Sequence, residues 1–155
     1  MNIIIIGVIK GIHDVASALW IGGIFALGFV FLPPAKKILE KNEKTGDFFQ
    51  AVQKRITAVA YLSIIVLFIT GVILKKATGF DGGLFDFSTP YTIVLSIKHI
   101  LVFLMIFFAL FRGTIMRMNF FSSPKMNLVK NSIMYINIIF GFTVLILSGI
   151  NSVLR

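Results

Sequence analysis

The sequence predicts an all-α integral membrane protein, folded as a four-helix up-down-up-down bundle with both termini outside. Of its 155 residues, 57% are hydrophobic and only 14% are charged, whereas a soluble domain carries about 25% charged residues. The apolar residues fall into four runs, each close to the ~20 residues that cross the hydrocarbon of a bilayer. Cysteine is absent, which excludes a disulfide framework and a thiolate metal site.

The four apolar runs set the predicted spans of a single transmembrane domain that covers residues 1–155. We expect the spans at about 3–32, 56–74, 91–111 and 132–153. The first is long enough that it must tilt or project from the membrane, and we expect it to stop at Pro33 and Pro34. The first connection mixes charge with Phe48, Phe49 and Val52, which predicts an interfacial helix there.

Basic residues predict the direction of each span. The first connection carries Lys36, Lys37, Lys41, Lys44, Lys54 and Arg55, and the third carries Arg112, Arg117, Lys125 and Lys130. The middle connection carries only Lys75 and Lys76, offset by Asp81 and Asp86. The positive-inside rule therefore places connections one and three in the cytoplasm of a protein of the plasma (inner) membrane. Topology and anionic lipid headgroups account for the net charge of +9, so we expect lipid partners and no nucleic acid.

Five ionisable residues lie well inside the predicted spans: Lys10, His13 and Asp14 on the first, and Lys98 and His99 on the third. A charge at membrane depth costs at least ~2.5–3.5 kcal/mol on insertion scales. Positions 10, 13, 14 and 17 share one helix face, and we expect that face to point into the bundle. A Lys10–Asp14 ion pair would ease insertion, but it does not explain His13.

Depth links the two histidines, which are the only ones in the chain. His13 lies about 15 Å along its helix from Ile3, and His99 lies about 12 Å along its helix from Tyr91, at 1.5 Å per residue. Both helices run inward, so we expect both imidazoles at nearly the same depth in the outer half of the membrane. The alternative is that each histidine is a separately hydrogen-bonded core residue.

Neutral imidazole binds transition metals and serves as an axial ligand of haem. Copper or zinc usually takes three or four donors, and Met105 and Met134 are the only methionines well inside spans. Two histidines suffice for haem, so His13 and His99 are predicted as the metal ligands of one haem b. Lys10, Lys75 and Lys76 are candidate propionate partners. Trp20 either packs against the cofactor or belongs to the ordinary core.

Four segments in order resemble the copper-resistance protein D (CopD) family. Residues 13–33 read HDVASALWIGGIFALGFVFLP, with a His, a Trp seven residues later, a Gly pair and a closing Pro. Residues 54–71 (KRITAVAYLSIIVLFITG), 89–98 (TPYTIVLSIK) and 136–141 (INIIFG) resemble the later helices of that family. Asn137 stands where many members carry Glu. The resemblance implies a four-helix membrane protein with copper uptake as a possible function.

The segment Lys10–His13 with Trp20 is also similar to the first helix of HemJ-type protoporphyrinogen oxidases. That resemblance implies a tetrapyrrole held by a helix-one His and a helix-three Lys, here His13 and Lys98. The Arg- and His-containing segment that follows the first helix in that family is not found here.

Three functions therefore stand as hypotheses. The first is b-type haem binding between helices one and three for transmembrane electron transfer, as a homo-oligomer or as a subunit that joins other membrane redox subunits. The second is a copper permease. The third is porphyrinogen oxidation, so whether the chain is an enzyme stays open.

Overall fold

The computed structural model describes residues 2–39, 44–77, 85–117 and 124–154. Its helices are α1 (Ile3–Phe25), a π-helical segment (Ala26–Phe31), α2 (Leu32–Leu39), α3 (Lys44–Ala77), α4 (Pro90–Arg117) and α5 (Pro124–Val153). No strand occurs within these ranges. The predicted all-α class is confirmed.

Among the described residues, four helical stretches are long and apolar enough to cross a membrane: Ile3–Ala35, Ala51–Ala77, Pro90–Gly113 and Asn131–Val153. Large apolar side chains are exposed on these stretches. Phe68 is 72% exposed and Ile146 is 64% exposed, which suits hydrocarbon and is unfavourable in water. The chain is therefore a multi-pass membrane protein in contact with lipid, as the sequence predicts.

The first span does not end at its two prolines. The helix continues through Pro33 and Pro34 to Leu39, whereas the sequence predicts a stop there. Proline lacks the N–H that would bond one turn back, and the π-helical segment just before the prolines changes the bonding pattern: the N–H of Leu32 donates to the carbonyl of Leu27, five residues earlier. The prolines then occupy the first turn of α2, where a missing N–H costs least.

Side-chain caps fix two helix starts. The side chain of Asn2 accepts a hydrogen bond from the N–H of Ile4 at 3.0 Å and begins α1. At α4, the N–H of Thr92 donates to the Thr89 hydroxyl (3.2 Å) and the N–H of Thr89 donates to the Thr92 hydroxyl (2.9 Å). Pro90 fills the first helical position between them. This reciprocal pair explains why α4 begins at Pro90.

The segment before α4 is folded back onto that helix. The hydroxyl of Ser96 donates to the carbonyl of Asp86 at 2.8 Å and accepts from its N–H at 3.0 Å. The carboxylate of Asp86 accepts the N–H of Ser88 at 2.9 Å. Hydrogen bonds from the side chain and then the backbone of Ser88 lower the pKa of Asp86 below its ordinary value.

Two helices begin well before their predicted spans. α3 begins at Lys44 and α5 at Pro124, so both helices extend well before their apolar segments. The residues predicted to form a separate interfacial helix are instead the first turns of α3, where Phe48 is 68% exposed.

The chain forms two compact units, Met1–Phe80 and Asp81–Arg155. In the first, α1 packs on α3; in the second, α4 packs on α5. The α1–α3 pair is antiparallel, because His13 contacts Thr70 while Gly23 lies opposite Ile56. Whether both units form the single domain that the sequence predicts stays a prediction.

Candidate cofactor site

His13 is held by a hydrogen bond to the neighbouring helix. Its Nδ1 lies 2.8 Å from the hydroxyl oxygen of Thr70 on α3. That hydroxyl donates its single hydrogen to the carbonyl of Val66 at 2.7 Å, so the oxygen is left to accept a hydrogen bond from Nδ1–H. If the imidazole is neutral, this arrangement favours the proton on Nδ1 and the ring lone pair on Nε2.

A glycine adjoins the ring of His13. A Cβ atom at Gly71 would lie 3.9 Å from Cε1 of His13, which is ordinary van der Waals contact. A Cβ at this position would therefore touch the imidazole without having to displace it. Thr70 and Gly71 together place α3 directly against the imidazole.

The partner of His13 differs from the one that the sequence predicts. A ligand histidine is usually oriented by an acceptor at its second ring nitrogen, and we expect a backbone carbonyl one turn back. The structure places Thr70 there, 57 residues away. The carbonyls of α1 point along the helix axis and accept hydrogen bonds within the helix, and the carbonyl of His13 also accepts one from the hydroxyl of Ser17 at 3.0 Å. The imidazole instead extends sideways to α3.

Trp20 lies two turns from His13 and is 2% exposed. It is therefore a core residue and not an interfacial anchor. Its Nε1–H has no hydrogen-bond partner among the residues that the structure describes, although a buried indole N–H usually finds one. Its predicted contact with a cofactor stays a prediction.

The contact between α1 and α3 also gives the depth of His13. The apolar part of α3 lies between Arg55 and Lys75, so its centre is near Ile65. Thr70 is five residues from that centre, or about 7.5 Å at 1.5 Å per residue. His13, at the level of Thr70, therefore lies in the half of the membrane that is nearer Lys75, and the positive-inside rule predicts that this is the outer half.

The charged residues beside His13 are not buried. Lys10 and Asp14 are both exposed, and no ion pair joins them to each other or to another described residue. The prediction that their face points inward is wrong for these two side chains. The face of α1 that is covered by protein centres on His13, Trp20 and Ile24; at 100° per residue, Lys10 lies about 60° and Asp14 about 100° around the helix from His13.

In the second unit, Lys98 joins α4 to α5. Its Nζ donates to the hydroxyl of Ser148 at 2.9 Å, and Lys98 is half-buried. His99, also half-buried, follows it on α4. The Nδ2 of Asn137 donates to the carbonyl of Met105 at 3.3 Å, as expected for an amide between helices. Met105 and Met134 are core residues, each 1% exposed.

The structure therefore brings His13 to Thr70 and Gly71, and Lys98 to Ser148. His13 and His99 belong to different units, so their pairing on one haem stays a prediction. Within the described residues, no group of three or more His, Cys, Asp or Glu could hold a metal ion. Thr70 and Ser148 are the polar partners that sequence reasoning missed, since neither is ionisable and both are far along the chain.

No known protein family, curated protein or solved structure matches this chain. The resemblances to the CopD and HemJ families stay predictions drawn from the motifs themselves.

Proposed function

We propose that this integral membrane protein binds one b-type haem through His13 and His99 and carries electrons within the membrane. The observation that best supports this function is the 2.8 Å contact between Nδ1 of His13 and Thr70. A histidine that ligates a metal almost always donates its other ring N–H to an acceptor, which fixes the tautomer and the orientation of the ring.

The chemistry of this contact fits haem. The hydroxyl of Thr70 is neutral, so it supports a neutral imidazole, which is the form that ligates iron. With the proton on Nδ1, Nε2 is the nitrogen that would bind the iron. Thr70 is 7% exposed and His13 is half-buried, so water competes weakly with their hydrogen bond.

The second axial ligand is proposed from the sequence. His99 is the only other histidine, and it lies nine residues from the start of α4 at Pro90, or about 13.5 Å. His13 lies ten residues from the start of α1 at Ile3, or about 15 Å. Two ligands of one iron need similar depths, and these distances agree with that if both spans run in the same direction and start at the same level.

A bound haem would supply a reversible one-electron oxidation and reduction. The chain's own residues would bind it, orient its ligands and exclude water. Trp20 and Ile24, on the face of α1 that carries His13, are buried and apolar. Lys98, positioned by Ser148, offers a cation on the helix that carries His99.

The visible spectrum of the purified protein, together with its metal content, tests this function. A Soret band with sharp α and β bands after reduction, at about one haem per chain or per dimer, supports the proposal. Bound copper without such bands would instead favour the copper permease, and a bound porphyrin without iron would favour porphyrinogen chemistry. Either result would overturn the haem proposal.

A further inference from the structure

The exposed side of α1 carries charge deep in the membrane. Asp14 follows His13, which places its Cα about 6 Å from the centre of the span at 1.5 Å per residue. Its carboxylate is exposed, and neither it nor Lys10 has an ion-pair partner within the described residues. A carboxylate inside the membrane is costly to insert. A cation that pairs with Asp14 would lower that cost.

Small residues flank Asp14 on the same side of the helix. A Cβ atom at Gly7, Gly11 or Gly22 would meet nothing within 4 Å, and Ala18 is exposed. Spacings of three and four residues place these positions and Asp14 in one stripe. Such a stripe lets another helix approach closely, so the surface around the carboxylate is open to a helix.

We propose that a second copy of this chain packs on this stripe, α1 against α1, with Lys10 of each copy paired to Asp14 of the other. Copies inserted in one orientation are related by a two-fold axis along the membrane normal, so their α1 helices run parallel. Lys10 and Asp14 are then offset by four residues, or about 6 Å along the axis, a distance that a lysine side chain spans.

Charge complementarity favours a second copy over other occupants. Opposite charges on one face make that face complementary to itself, as a two-fold interface requires. Two lysines and two carboxylates form a neutral group, which offsets much of the cost of each charge. An anionic lipid headgroup would accept Lys10 but repel Asp14. The proposal does not depend on haem.

The absence of cysteine makes crosslinking a direct test. Gly11→Cys adds a thiol on the stripe, whereas the control Ile12→Cys adds one at almost the same depth on another exposed side, where Ile12 is 48% exposed. In membrane vesicles treated with iodine, Gly11→Cys should give covalent dimers about tenfold more readily. Equal yields, or no dimer with either variant, would overturn the proposal and leave another helix or lipid as the occupant.

The charges are tested in the Gly11→Cys background. Asp14→Asn and Lys10→Gln should each lower the dimer yield about tenfold, since interhelical polar contacts in membranes contribute about 1–2 kcal/mol in model peptides. The double exchange Lys10→Asp with Asp14→Lys should restore the dimer yield, because position 10 of each copy can still form an ion pair with position 14 of the other. If the exchange restores nothing although the protein inserts normally, the ion pairs are refuted.

Discussion

Replacing Thr70 by Val tests whether the hydrogen bond at His13 prepares a ligand. The change keeps the shape of the side chain and removes the oxygen that lies 2.8 Å from Nδ1. Thr70 is buried, at 7% exposure, so an Nδ1–H left without an acceptor costs about 1–3 kcal/mol. Loss of such an orienting group typically weakens metal binding about 10- to 100-fold. We expect a fall in haem affinity within that range.

The assay is a haem titration of apoprotein in detergent, followed by the Soret band. Thr143→Val is the matched control, because the hydroxyl of Thr143 also donates to the carbonyl four residues earlier, at 3.0 Å, but makes no bond to a histidine. Thr70→Ser, which keeps the oxygen, should retain most of the affinity. If Thr70→Val and Thr143→Val bind haem equally well, Thr70 is a core residue and the reasoning about His13 fails.

Three further predictions follow from other parts of the chain. Asn137→Ala removes the 3.3 Å bond to the carbonyl of Met105, so it should destabilise the α4–α5 pair by about 0.6 kcal/mol, the mean for polar contacts between membrane helices, and leave haem binding unchanged. Loss of haem, or an unchanged free energy of unfolding in a denaturant titration, would contradict this. A thiol introduced at Gly83 should react with an impermeant reagent from outside and one at Glu43 should not, because basic connections stay in the cytoplasm; both positions lie outside the described residues, and the reverse labelling would invert the topology. The lowered pKa of Asp86 means that its contribution to stability is present above its ordinary pKa and is lost as the pH falls through the lowered one; hydrogen exchange at the start of α4 should show this loss in the native chain and not in Asp86→Asn.

The membrane architecture could be predicted from the sequence because it depends on the length and composition of apolar runs. Tertiary contacts could not be predicted so well. The π-helical segment before Pro33 is defined by backbone hydrogen bonds that span five residues, and the pattern of apolar residues does not indicate where such bonds form. The contact between His13 and Thr70 depends on how α1 and α3 align, and an intramembrane threonine gives no signal by itself.

The exposed positions of Lys10 and Asp14 show a second limit. Helical spacing places them near His13, but the first half of α1 is little covered by protein, since no residue from Ile3 to Val15 is buried. The rule that charged residues in spans point inward assumes that the helices around them are enough to bury them. In a unit of two helices, each helix buries only the one side that faces its neighbour.

The most direct test of the haem proposal is the haem content and spectrum of three proteins expressed alike: the native chain, His13→Ala and His99→Ala. The proposal predicts six-coordinate low-spin haem in the native chain, and loss of that state in both variants. Low-spin haem retained in either variant would contradict the assignment of His13 and His99 as the two axial ligands.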